Sequence, residues 1–150
     1  MTDFDMSENR KSAPVSCELK LEARKDNLDR VIEVLEDVLD RTGCPMKARM
    51  QLEVAVEEIF INIASYAYGT DTGMAEIRMW TEEAPEAFLV SFADSGIPYD
   101  PMKKEDPDVS LPASEREIGG LGIYLVKKSM DDVTYRYEDG KNILTLKKKL

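Results

Sequence analysis

The chain has 150 residues, 30 of them acidic and 20 basic, a net charge of −10 and no histidine. That length suits one domain with a real core, the charge argues against a nucleic-acid backbone as the main ligand, and the missing histidine removes His-based triads, His metal ligands and His general bases together. No apolar stretch approaches the roughly 20 residues of a membrane span, and Cys17 and Cys44 are too few and too far apart for a disulfide scaffold or a zinc site, so a reducing cytoplasm is the expected compartment.

Residues 1–15 lack the apolar centre of a signal peptide and are expected to form a flexible tail. "SCELKLEA" alternates, with Cys17, Leu19 and Leu21 on one side, and predicts a strand. Asp26 or Asn27 is placed to cap the helix that follows, whose apolar stripe is Leu28, Val31, Ile32, Leu35, Val38 and Leu39. Gly43 ends it and Pro45 opens a second helix running to about Tyr68. Its stripe is Leu52, Ala55, Val56, Ile59, Phe60, Ile63 and Ala67. "MAEIRMWTEE" and "AFLVSFAD" predict two strands joined through Ala84-Pro85. From Tyr99 to Glu117 the periodicity stops, three prolines intervene and charge is dense, which predicts a long functional loop. "GGLGIYLVKKSM" leads glycines into a helix, and "VTYRYED" and "NILTLKKKL" form a last hairpin turning on Gly140-Lys141. This order predicts an α+β sandwich of two layers, with helices on one face of a mixed, largely antiparallel sheet.

Three places carry chemistry. Glu58 and Asn62, in "EEIFINIASYAY", are one helical turn apart and off the apolar stripe. They read as a polar helix face, or as a site in which an amide oxygen ligates Mg²⁺ beside a carboxylate that accepts a proton. Asp94 ends a strand in "DSGIPYDP", where a carboxylate accepts from an exocyclic amine and Gly96 lets a flat ring lie on the backbone; the same residues also make a plain turn. Gly119, Gly120 and Gly122 precede an apolar helix, as a cap or as backbone N–H groups aimed at phosphate oxygens. This is neither a Walker sequence nor a dinucleotide fingerprint. Lys103, Lys104 and Arg116 are the cations of the long loop.

Taken in order, Glu-x-x-x-Asn on a helix, Asp-x-Gly-x-Pro after a strand, a lid and Gly-x-Gly into a helix resemble the histidine-kinase-like ATPase superfamily over about residues 16–150. "VEEIFINIASYAYG", "FADSGIPYDP", "GGLGIYLVKKSMDDVTY" and "NILTLKK" resemble, more closely, its stand-alone anti-sigma-factor serine/threonine kinases. The resemblance implies an ATP lid at about 99–118 and Mg²⁺ on Asn62. It makes Glu58 the base for the attacking hydroxyl and sets Asp94 and Gly96 at adenine. Gly119, Gly120, Leu121 and Gly122 then line the phosphates, and Thr145 supports the adenine end. Tyr66 departs from the histidine common at that position.

The implied function is ATP-dependent phosphorylation of a small antagonist protein, with a sigma factor sequestered when the antagonist is not at hand. Related kinases are commonly homodimers, and the first strand and helix offer a face for one. The alternative expectation is a nucleotide-gated binding module or ATPase that regulates a non-sigma partner without phosphotransfer.

Overall fold

A computed structural model describes residues 16–83, 86–103 and 121–150. The tail, the Ala84-Pro85 link and most of the expected lid, with Lys104, Arg116, Gly119 and Gly120, lie outside the described residues. The elements are β1 (Ser16–Glu22), α1 (Leu28–Asp40), α2 (Met46–Tyr66), β2 (Met74–Glu83), β3 (Glu86–Asp94), α3 (Leu121–Ser129), β4 (Asp132–Glu138) and β5 (Lys141–Lys149).

The strands form a five-stranded sheet in the order β1-β2-β3-β5-β4. Every pairing in it is antiparallel, so the sheet is not mixed as its sequence suggested. The reason lies in the connections. β4 and β5 join by a tight turn at Asp139-Gly140, where both residues have positive φ (54° and 77°), the geometry of a two-residue hairpin turn. β5 then inserts beside β3 and runs against it. The turn falls one residue earlier than Gly140-Lys141, because Lys141 already pairs with Glu138.

Strand alternation decides what each face sees. Ile77 and Met79 of β2, Phe88, Val90 and Phe92 of β3, and Leu144 and Leu146 of β5 point to the helical layer and are buried. Against them pack Val31, Leu35, Val38 and Leu39 of α1, Leu52, Val56, Ile59 and Phe60 of α2, and Ile123 and Val126 of α3. Lys20, Glu76, Arg78 and Lys141 occupy the other, outer face, where Glu76 pairs with both Lys20 and Lys141. No helix among the described residues is long and apolar enough to cross a membrane.

Local signals work at most helix ends. Gly43 takes a left-handed φ of 69° after α1, and Pro45 stands just before α2, where a missing N–H costs nothing. The capping expected of Asp26 or Asn27 does not form. Lys25–Asn27 is a 3₁₀ turn, Asn27 has helical φ and ψ, and its amide donates back to the Glu22 carbonyl at 2.8 Å. A side chain on helical backbone is not set to accept from the N–H groups ahead of it. Arg49 of α2 ties the two helices together, donating to Asp40 at 2.7 Å and to the Glu36 carbonyl.

Leu35 is fully buried between α1 and the sheet. Leu35→Ala is expected to cost about 2–5 kcal/mol of unfolding free energy, read by urea denaturation; a loss below about 1 kcal/mol contradicts its place in the core.

Candidate functional site

α2 carries a core stripe and, on its flank, two polar residues one turn apart. Glu58 and Asn62 are both half-buried. The Glu58 carboxyl group lies against the backbone of Gly122, in the first turn of α3. A methyl group added at Gly122 would sit 2.0 Å from the carboxyl carbon and 2.2 Å from each oxygen. The Glu58 carboxylate thus occupies the space beside the Gly122 Cα, and a side chain at Gly122 would push that carboxylate aside. The contact also brings the acid on α2 to the N-terminal end of α3, where unpaired N–H groups and the helix dipole favour anions.

Neither Glu58 nor Asn62 has a hydrogen-bond or ion-pair partner through its side chain among the described residues. Burial pushes the Glu58 carboxyl above the ordinary glutamate range, and the negative charge of Glu57 adds to that shift. A carboxylate without a cation and with raised basicity suits proton abstraction. The Asn62 amide oxygen is neutral, with lone pairs that no described residue engages. Among the described residues no group of three or more His, Cys, Asp or Glu could hold a metal by itself. A divalent ion at Asn62 would therefore complete its shell with phosphate and water oxygens, the manner in which Mg²⁺ is commonly held.

Asp94 closes the inner face of β3 and is 7% exposed. Its Oδ1 accepts from the Gly96 N–H and from the Asn142 amide, each at 2.9 Å. Oδ2 has no partner among the described residues. Gly96 also has a packing reason to be glycine. A methyl group there would lie 2.1 Å from the Ala67 carbonyl oxygen, which also accepts the Ile97 N–H at 2.9 Å. The end of α2 takes up that side of Gly96. So the end of α2 touches the exit of β3 through Ala67, and α2 touches the start of α3 through Glu58.

Thr145 does not join them. It is three residues beyond Asn142 on β5, pairs with Ser91 and Thr134, and by alternation faces the outer side of the sheet, opposite Asp94. Asn142 is the residue of β5 directly across from Asp94. The signal was present in "NILTL": Asn142, Leu144 and Leu146 share one parity, and Thr145 has the other. Tyr68 was also missed. Its hydroxyl donates to the Met74 carbonyl at 2.6 Å and accepts from the Ser95 N–H at 2.8 Å, while its ring fills the space beside Gly73. No local pattern announces the contact with Ser95, 27 residues further along the chain. Tyr66, the departure at the family's histidine position, is exposed at the last residue of α2.

A cavity of about 350 Å³ reaches Asp94 and Ser95 from the outer side of the sheet, lined also by Lys20, Met74, Glu76 and Lys141. Its two lysines are both paired with Glu76, and it lies across the sheet from Glu58 and Asn62.

The fold and this arrangement define a nucleotide-binding ATPase domain. The chain belongs to the family described as "Histidine kinase-like ATPase domain", whose model matches residues 21–148. Membership implies ATP as the nucleotide. Among curated proteins it is similar to the serine-protein kinase RsbW of Bacillus cereus (strain AH187), at 28% identity over 134 residues, 87% of this chain and 82% of that protein. The serine-protein kinase RsbW of Bacillus thuringiensis subsp. konkukian (strain 97-27) is 27% identical with the same coverage.

Two expected outcomes follow from the contacts. Gly96→Ala sets a methyl group against the Ala67 backbone and is expected to cost about 1–3 kcal/mol by chemical denaturation; full retention of stability contradicts the close approach. Side-chain NMR titration of the nucleotide-free protein should find Glu58 deprotonating above ordinary glutamates, with Glu57→Gln moving its midpoint down. An unmoved midpoint in that variant removes Glu57 as a cause.

Proposed function

We propose that this protein is an ATP-dependent serine/threonine protein kinase that phosphorylates a small antagonist protein, acting in the cytoplasm as the anti-sigma factor of a partner-switching system. The observation that carries the reading is the half-buried Glu58 carboxylate, without a partner among the described residues, packed on Gly122 at the start of α3. A site that only binds nucleotide has no use for a desolvated base at the phosphate end. Support comes also from the family match and from relatives named serine-protein kinases.

In this reading Asp94 accepts a hydrogen bond from the adenine amino group, with Gly96 beside the ring. Leu121 and Gly122 open α3 toward the phosphates; Gly119 and Gly120 precede them in the chain and take the same role from the sequence. Asn62 would hold Mg²⁺, which when bound supplies charge neutralisation across the phosphates. Glu58 orients the acceptor hydroxyl and takes its proton as the oxygen bonds to the γ-phosphorus. The bond to the β–γ bridging oxygen breaks, and ADP leaves. Such transfer needs aligned oxygens and neutralised charge more than covalent help from the protein. Lys103, at the root of the loop after β3, is a described cation within that segment.

The sigma factor binds when the antagonist is phosphorylated or absent, so nucleotide and partner are exchanged together. β1 stands at the edge of the sheet and offers a face for a second copy.

The test is transfer of label from γ-labelled ATP to candidate antagonist proteins. Glu58→Gln is expected to keep ATP affinity within a few-fold and to lose about 10²–10⁴ in transfer rate. Wild-type transfer by that variant refutes the base assignment. Tight nucleotide binding with no label on any antagonist supports the binding-module alternative.

A further inference from the structure

Asn142 has no part in the roles above, yet it is the most fully engaged polar side chain at the site. It is 6% exposed, on the inner face of β5. Its Nδ2 donates to Asp94 Oδ1 at 2.9 Å and to the Ile97 carbonyl at 3.0 Å, with the Gly96 carbonyl farther off at 3.5 Å. Its Oδ1 accepts from the Tyr99 N–H at 3.0 Å and from the Tyr135 hydroxyl. The donor end meets acceptors and the acceptor end meets donors, so the orientation of the amide is settled by its surroundings. A buried amide with its partners complete is rigid, and it passes that rigidity to them.

Two consequences meet at Asp94. First, Asp94 Oδ1 receives two donors from separate elements, the Gly96 backbone and β5. That oxygen is committed, the carboxylate cannot swing, and Oδ2, which has no partner among the described residues, is left to accept from a ligand. Second, the same amide holds the Ile97 carbonyl and the Tyr99 N–H against β5. The backbone that follows Gly96 is therefore set by the side chain that sets Asp94. We infer that Asn142 is a positioning residue for nucleobase selection: it presents Asp94 Oδ2 to the exocyclic amino group of an adenine nucleotide and fixes the adjoining pocket wall. The inference rests on the reading of Asp94 as the adenine acceptor.

The discriminating ligand pair is ATP and purine riboside triphosphate, which has the same ring and phosphates but no 6-amino group. Affinities are measured on the full chain by competition with a fluorescent nucleotide. The wild type is expected to prefer ATP by about tenfold or more, as a hydrogen bond to a charged group warrants. In Asn142→Ala this preference should fall to about threefold or less, with affinity for purine riboside triphosphate changed much less than affinity for ATP. Tyr135→Phe removes one donor to Oδ1 and leaves the Asp94 contact, so it should keep most of the preference. Should Asn142→Ala not fold, Asn142→Asp serves: it keeps the size and the acceptor for Tyr99 and loses the donor to Asp94, and it too should lose the preference.

A purely structural role weakens both nucleotides equally. Folded Asn142 variants that retain the wild-type preference overturn this inference and leave the adenine reading of Asp94 standing. A wild type that binds both nucleotides equally overturns the adenine reading itself, and the role of Asn142 with it.

Discussion

The site depends on how closely the backbone at two glycines approaches α2. At Gly96 the carbonyl of Ala67 lies where a Cβ would be, and at Gly122 the carboxylate of Glu58 does. The first is a backbone contact just past the end of a helix whose core stripe, Leu52, Val56, Ile59 and Phe60, is buried; the second is a side-chain contact part-way along it. A helix held at its core stripe alone can still rotate by a fraction of a turn or slide slightly, and the backbone contact at Ala67 opposes both at the end nearer Asn62. Catalytic geometry is sensitive to displacements of about 1 Å, so small residues at these contacts matter as much as the polar residues they admit.

Electrostatics then work against the net charge. A chain at −10 gathers a polyanion only where local fields oppose the average. The start of α3 supplies the partial positive charge of unpaired N–H groups, and charges beyond about 8 Å are largely screened at physiological salt. Glu58 sits in the same place with the opposite sign. Its burial raises the cost of its charge, as the upward shift of its carboxyl records. That cost is compatible with a group that is neutralised by a proton during the reaction. Among the described residues no cation pairs with Glu58, whereas Glu76 pairs with Lys20 and Lys141.

At the other end of the site a polar network crosses the sheet edge. Asp94, Asn142, Tyr135 and the backbone of Gly96, Ile97 and Tyr99 are joined by hydrogen bonds around one buried amide. Tyr68 adds a second stitch, from the Met74 carbonyl to the Ser95 N–H. Buried polar groups are costly unless satisfied; here they are satisfied by one another, with Asp94 Oδ2 left over. A single unspent oxygen in a satisfied network is a directional acceptor, which is what recognition of one amino group requires.

Periodicity made the helices, the strands and the two-layer arrangement legible, because the burial pattern of an element is written at its own spacing. Glu58, Asn62, Asp94, Gly96 and Gly122 stood out one by one in the sequence, and the structure joins Glu58 to Gly122 and Asp94 to Gly96. Long-range pairing was not. The insertion of β5 between β3 and β4 decided that the sheet is antiparallel throughout, and the register of Asp94 against Asn142 placed Asn142 at the site and Thr145 on the opposite face. Asn27 could not reveal that its amide turns back to Glu22, nor Gly96 that its neighbour is Ala67. Sequence alone thus determined which faces are apolar and which residues are chemically out of place, because those depend on local spacing and composition. Only the tertiary structure decided which of them meet, because strand register and backbone approach are set between segments dozens of residues apart.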